Sequence, residues 1–219
     1  IDQGQRRITQ ENTLEGGQLH IAASDTICRY FLLPYLSQFH RSYPAVSIKV
    51  TNQTSLKCVD LLSSGDVDCI ITNTPNSRLG TDHSIQQIFT FSDTFIAGNG
   101  YSHLRERILT LAELQDYPIL MLDSKSTTSE FLHQLFLAHH LQLTPEIELG
   151  SNDLLIDLAK INLGIAFVPD YCIPKQSSDL FTVQIKTRLP TRHLAAVTSS
   201  LVPNSPVVDA FLSMLPDES

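Results

Sequence analysis

The feature that most constrains this chain is a repeated sign: an apolar run that stops at a hydroxyl- or amide-bearing pair, followed by apolar residues at helical spacing. Leu19-His20-Ile21-Ala22-Ala23 reads as a buried strand, and it stops at Ser24-Asp25-Thr26. A side-chain oxygen there can accept from the free N–H groups of a first helical turn. Ile27, Tyr30, Phe31, Leu36 and Phe39 then follow at helical spacing. Pro34 interrupts them, so either the helix kinks there or Pro34 opens the main helix after a short turn. Val46, Ile48 and Val50 alternate as a strand should. Thr54-Ser55 starts a helix carrying Leu56, Val59 and Leu62 on one side, and Gly65 fits the left-handed position past its end. Val67 to Thr72 is the next buried strand. Strand, helix, strand, helix, strand predicts a parallel sheet with helices on its faces.

A second unit repeats the pattern. Thr94 to Ala97 reads as a strand, and Thr110-Leu111-Ala112-Glu113 matches a capping box. Ile119 to Leu122 is a short buried strand. Thr127-Thr128-Ser129-Glu130 matches another capping box, ahead of a helix with Phe131, Leu135 and Ala138 on one face. After the short strand Ile147-Glu148-Leu149, Ser151-Asn152 caps a helix bearing Leu154, Leu155, Leu158 and Ile161, which Gly164 ends. Ile165 to Val168 is a strand stopped by Pro169. In the tail, Phe181 to Ile185 alternates, Leu194 to Val197 is apolar, and Ser205-Pro206 starts a last helix. The fold class expected is α/β with two similar units and a C-terminal extension.

Composition narrows the function. With 42% apolar residues in 219, the chain can build real cores, and no run approaches the length of a membrane span. The net charge of -8 makes this piece a poor partner for DNA phosphates. Ile1 rather than Met stands first, so the chain reads as a fragment or a processed product, and the polar stretch Ile1 to Gly17 as a linker or frayed end. Cys28, Cys58, Cys69 and Cys172 form no C-x-x-C pair and no disulfide framework, which points to a reducing cytoplasm.

Ligands of open parallel sheets bind beyond the carboxyl ends of the strands. Four strand-to-helix junctions share one character: Ser24-Asp25-Thr26, Thr54-Ser55, Ser126-Thr127-Thr128 and Ser151-Asn152. Each offers hydroxyls, amides and free backbone N–H groups, a setting that suits a carboxylate, phosphate or sulfate. Taken singly, such a residue is most often only a cap. Asp25 would compete with an anion for its own helix start, so an amphoteric or neutral ligand stays open. No Lys or Arg falls at the four junctions. The eight histidines show no zinc spacing, and His139-His140 read as surface residues on different faces of a helix. Asp66 and Asp68 read as a turn at a strand start. No G-x-G-x-x-G, P-loop or G-x-S-x-G occurs. Neither a metal nor a cofactor is expected, and no catalytic residue is assigned.

Several segments resemble the effector-binding domains of LysR-type transcriptional regulators. They are Leu19 to Ser24, Leu32-Leu33-Pro34-Tyr35-Leu36, Phe39, and Tyr43-Pro44-Ala45-Val46. Leu61-Leu62-Ser63-Ser64-Gly65-Asp66-Val67-Asp68 is similar to that family's leucine, glycine and aspartate element. Leu111 to Leu114 with Tyr117-Pro118-Ile119, Leu163-Gly164-Ile165-Ala166-Phe167-Val168-Pro169, and Phe211-Leu212 complete the likeness, in order, over about residues 17 to 215. The resemblance implies a type II periplasmic-binding-protein-like fold of two Rossmann-like lobes. Residues 17–93 and 198–219 would form lobe I, 94–197 lobe II, and 1–16 a linker remnant.

It implies that a small-molecule effector binds in the inter-lobe cleft and changes the arrangement of a dimer or tetramer. DNA would be bound only by a winged helix-turn-helix outside this chain, with RNA polymerase a candidate partner and no membrane role. Carried over by position, effector contacts fall on Ser24, Thr26, Thr54 and Asn73, and on Ser126, Thr127 and Thr128. Asp25, Ser55 and Ser151 complete the candidate set from the junctions themselves. Peroxide-sensing members use two nearby second-lobe cysteines, whereas this chain has only Cys172 there, which argues against a disulfide switch. The competing classes are an extracytoplasmic solute-binding protein of the same fold, which would need a signal peptide, and an enzyme, which would need a catalytic Cys, Lys or acid pair.

Overall fold

The computed structural model describes residues 14–175 and 177–218. Most of the expected 1–16 linker therefore lies outside the described residues. The chain divides into two compact units, one running up to Phe89 and resuming at Leu194, the other spanning Thr90–His193.

Unit 1 is built on the sheet β2-β1-β3-β11-β4, with β1 Gln18–Ala23, β2 Ser47–Asn52, β3 Cys69–Thr74, β4 His83–Phe91 and β11 Arg192–Ser199. β1 pairs in parallel with both β2 and β3. The carboxyl ends of these three strands therefore share one edge. β3 starts two residues later than the apolar run suggested, because the turn through Gly65 to Asp68 delays it: Asp68 N–H donates to His20 O, and its carboxylate accepts from His20 N–H. Gly65 does take the left-handed conformation, φ 76°. The core buries Ala22, Cys58, Val59, Leu62, Val67, Ile70, Ala195 and Val197.

The first helical stretch shows what Pro34 does. α1 Asp25–Ile27 runs into a π-helical turn, Cys28–Leu32, and then into α2 Leu33–Ser42. Pro34 has no N–H and its ring would crowd the carbonyl four residues back. The wider turn, in which Leu33 N–H reaches Cys28 O, takes up the mismatch. The main helix α2 thus opens with Pro34 in its first turn, after the short α1 and the π turn, one residue earlier than a start at the proline itself. α3 Ser55–Ser63 follows β2, and α7 Pro206–Leu212 closes the unit with Ser205 as its cap.

Unit 2 is built on the sheet β6-β10-β5-β9-β7-β8. Its strands are β5 Asp93–Gly98, β6 Ile108–Leu109, β7 Ile119–Leu122, β8 Ile147–Leu149, β9 Ile165–Pro169 and β10 Leu180–Ile185. β7 is parallel to β8 and β9, and β5 runs antiparallel to β9 and β10. The helices are α4 Leu111–Leu114, α5 Thr127–Ala138 and α6 Asn152–Lys160. Phe95, Leu104, Leu132, Phe136 and Phe167 fill one side of the sheet, and Leu120, Leu155, Ile156 and Val168 the other.

Several local expectations change. The capping box at Thr110 forms in full, with Glu113 reaching back to the Thr110 N–H. The one expected at Thr127-Thr128-Ser129-Glu130 does not: Ser126 is the cap, and Thr127 and Thr128 sit inside the first turn. α6 ends at Lys160, and Asn162, two residues before the stop expected at Gly164, takes a left-handed conformation, φ 65°. Gly164 instead lies where a Cβ would stand 2.5 Å from Pro118 O. Leu154 and Ile161 are exposed, so the inward face of α6 is Leu155, Ile156 and Ala159. α5 ends before His139 and His140, and His140 takes a left-handed conformation, φ 58°.

Candidate functional site

In unit 1 the sequence-predicted residues gather at the shared carboxyl edge of β1, β2 and β3. The register sets Ala23 beside Asn52 and Ile71. Ser24 and Thr54, one and two residues beyond these strand ends, cap their helices: Ser24 Oγ accepts from Ile27 N–H at 3.4 Å and Thr54 Oγ1 from Lys57 N–H at 3.3 Å. Gln53 N–H donates to Ala23 O at 3.2 Å and holds the two junctions side by side. Asp25 is exposed; Ser24, Thr26 and Thr54 are half-buried. Ser55 and Asn73 are buried. Asn76 donates to Ser55 O at 3.3 Å and to Thr72 Oγ1 at 2.9 Å, which fixes α3 against the end of β3.

Two thiols underlie this edge. Cys28 Sγ lies 3.9 Å from Ala23 O, and Cys58 Sγ lies 3.5 Å from Gln53 O. Burial pushes the Cys58 thiol up to about 12 and raises Cys28 as well, so both rest as neutral thiols. Cys69 and Cys172 are likewise buried and pushed up to about 12. All four cysteines are free.

In unit 2 the carboxyl edge of β7, β8 and β9 carries Ser126 and Ser151. Ser126 Oγ accepts from Ser129 N–H at 3.0 Å, and Ser151 Oγ from Leu154 N–H at 3.3 Å. Asp123 N–H donates to Leu149 O at 3.0 Å and brings the two junctions together. Ser126 and Ser151 are half-buried, whereas Thr127 and Thr128 are buried.

The reason for that burial is a residue distant in sequence that belongs to none of the four junction segments. Arg192 is fully buried, and its Nη2 donates to Thr127 Oγ1 and its Nη1 to Thr128 Oγ1, both at 3.1 Å. Nη1 also meets Asp93 Oδ2 at 2.9 Å, and the guanidinium lies over Phe91 and Phe131 at 5.3 and 5.0 Å. The expectation that no Lys or Arg stands at the junctions is therefore overturned for α5. A cation at a helix N-terminus opposes the macrodipole, and the Asp93 carboxylate offsets it. Burial raises the Asp93 carboxyl, and Arg192 pulls it back down. The sequence sign is a charge near the start of each of two strands, Asp93 just before Thr94 to Ala97 and Arg192 two residues before Leu194 to Val197, with 98 residues between the two charges.

Among the described residues no group of three His, Cys, Asp or Glu side chains could hold a metal. No helix among them is long and apolar enough to cross a membrane. Among the cavities lined by described residues of unit 1 are one of about 450 Å³ beside α7 and one of about 460 Å³ beside the turn at Gly65; neither of these is lined by a junction residue.

The site therefore offers capped helix starts with reachable hydroxyls in each unit. The profile described as the LysR substrate binding domain matches residues 12–219. The HTH-type transcriptional activator CmpR of Synechocystis sp. is 25% identical over 173 residues, covering 79% of this chain and 56% of that protein. The HTH-type transcriptional activator IlvY of Salmonella typhimurium is 20% identical over 218 residues, 96% of this chain and 72% of that protein. The chain thus spans little more than half the length of CmpR.

Among solved structures, the Synechocystis PCC6803 CcmR regulatory domain in complex with 2-PG superposes with a TM-score of 0.81 at 20% identity, covering 90% of this chain and 94% of that one. The effector binding domain of QuiR in complex with shikimate gives 0.77 at 14% identity, over 91% and 95%. The likeness is one of fold, the type II periplasmic-binding-protein-like fold of LysR effector-binding domains. The chain belongs to the LysR substrate-binding domain family.

Proposed function

We propose that this chain is the sensing part of a bacterial LysR-type transcription regulator. It binds a small metabolite at capped helix starts and does no chemistry on it. The observation that carries the reading is the gathering of capped junctions at the carboxyl edges of both sheets. Ser24, Thr26 and Thr54 stand at one edge, and Ser126 and Ser151 at the other. The relatives are named as transcriptional activators, and two structures of this fold hold 2-PG and shikimate. Asp25, exposed beside Ser24, favours an effector that carries a donor as well as an acceptor. Asn73, Ser55, Thr127 and Thr128, being buried, shape the site instead of facing the ligand.

Effector affinity that differs between conformations supplies the coupling. DNA binding belongs to a part of the regulator outside this chain, and the working compartment is the cytoplasm. Self-association is supported by exposed apolar side chains in each unit: Tyr30, Leu33 and Val50 in unit 1, Leu154, Ile161 and Leu163 in unit 2. RNA polymerase is a further partner in this reading. The test is calorimetric titration with a metabolite panel. A true effector should lose roughly tenfold or more in affinity in the Thr26→Val, Thr54→Val double variant, through hydroxyls left unmade. Unchanged binding, or turnover of the compound, overturns the reading.

A further inference from the structure

We propose that Arg192 is a positioning residue that ties the first turn of α5 to both strands by which the chain passes between its two units. The chain enters unit 2 at Thr90, near the end of β4, and leaves it at His193, near the start of β11. The segments on the unit 2 side of those two points are fastened to each other. Thr90 Oγ1 lies 3.0 Å from His193 Nδ1, Asp93 Oδ2 lies 2.9 Å from Arg192 Nη1, and Phe91 lies under the guanidinium. Asp170 N–H donates to Ser92 O at 2.9 Å and fixes the first crossing to the end of β9.

The same guanidinium holds Thr127 and Thr128, so one buried side chain joins three segments. The network also has slack. Arg192 Nε and Asp93 Oδ1 are buried without a hydrogen-bond partner among the described residues. A fork–fork pairing that used both carboxylate oxygens and Nε would satisfy these atoms and release a threonine. We include in the proposal this fork–fork pairing as a second arrangement, since packed clusters switch between discrete states instead of deforming continuously. A ligand that engages the start of α5 would favour one of the two, and the crossing strands would feel the choice. This purpose rests on the reading that α5 begins at the effector site; the coupling itself does not.

The test uses the whole chain without ligand, followed by amide exchange and NMR. In the Thr127→Val, Thr128→Val double variant, the Asp170 amide should exchange about tenfold faster and the His193 ring resonances should shift, through loss of bonds to a charged donor. In Asp93→Asn the Glu130 amide, which donates to Ser126 O, should exchange faster by a similar factor. Amides of the β7–β8 pair should keep their rates in both. Changes confined to the substituted segment overturn the proposal. If Asp93→Asn does not fold, the threonine variant decides alone. Because no ligand is added, failure of the effector titration and failure of this coupling are separate results.

Discussion

Arg192 and Asp93 meet at 2.9 Å with both side chains shielded from water, 99 positions apart in the chain. Each charge is tolerable in unit 2 only because the other is present. Desolvation acts against the carboxylate, and the N-terminus of α5 acts against the guanidinium.

Removing one partner should therefore cost more than removing both. Asp93→Ala should lower stability by roughly 3–5 kcal/mol, because an uncompensated buried cation remains. Arg192→Met combined with Asp93→Leu should recover a large part of that loss. Urea unfolding of both variants checks this. A double variant less stable than the single one would show that Thr127 and Thr128, and not the charges, dominate.

Two glycines separate close packing from backbone conformation. A Cβ at Gly98 would stand 2.3 Å from Ala159 O, at the end of α6. Gly98→Ala should therefore cost about 3 kcal/mol, as overpacking against backbone does. Gly65 has open space around it but φ 76°, so Gly65→Ala should cost only about 1 kcal/mol. Unfolding midpoints of the two variants give the comparison, and the reverse order would contradict the packing of β5 on α6.

The capping box at α4 gives a pH dependence of known sign. Hydrogen bonds from the Thr110 backbone and hydroxyl, with Arg107 nearby, hold the Glu113 carboxyl below its ordinary value of 4.5. A depressed carboxylate stabilises the folded chain above its unfolded value, and that contribution is lost as pH falls through the folded one. Between about pH 6 and about pH 3 the unfolding midpoint of the native chain should therefore fall more than that of Glu113→Gln. Parallel curves would show that the box contributes nothing.

Local patterns were enough for the two-unit α/β architecture and for the capping residues Ser24, Thr54, Ser151 and Ser205, because a cap is a bond within one turn; at α5 the cap lies one residue earlier than expected, at Ser126. β4 escaped notice because it is an edge strand: Ile85 is exposed, and its polar and apolar residues follow no clean alternation. Thr127 and Thr128 looked like cap or ligand residues, since their true partner comes from a distant strand. The helix stop expected at Gly164 comes earlier because Asn162 turns left-handed and its Oδ1 accepts from Gly100 N–H, a contact 62 positions away. What remained hidden was set by long-range contacts.

The most direct measurement is NMR titration of the ¹⁵N-labelled chain with whatever small molecule co-purifies with it under native conditions. The largest amide shifts should fall on Ile27, Lys57, Ser129 and Leu154, the amides that the four junction caps receive. Shifts that spare these amides and cluster instead around Ser84, Asp209 and Asp217, or around Gly65 and Val202, would place the effector in a cavity of unit 1 and contradict the junction site.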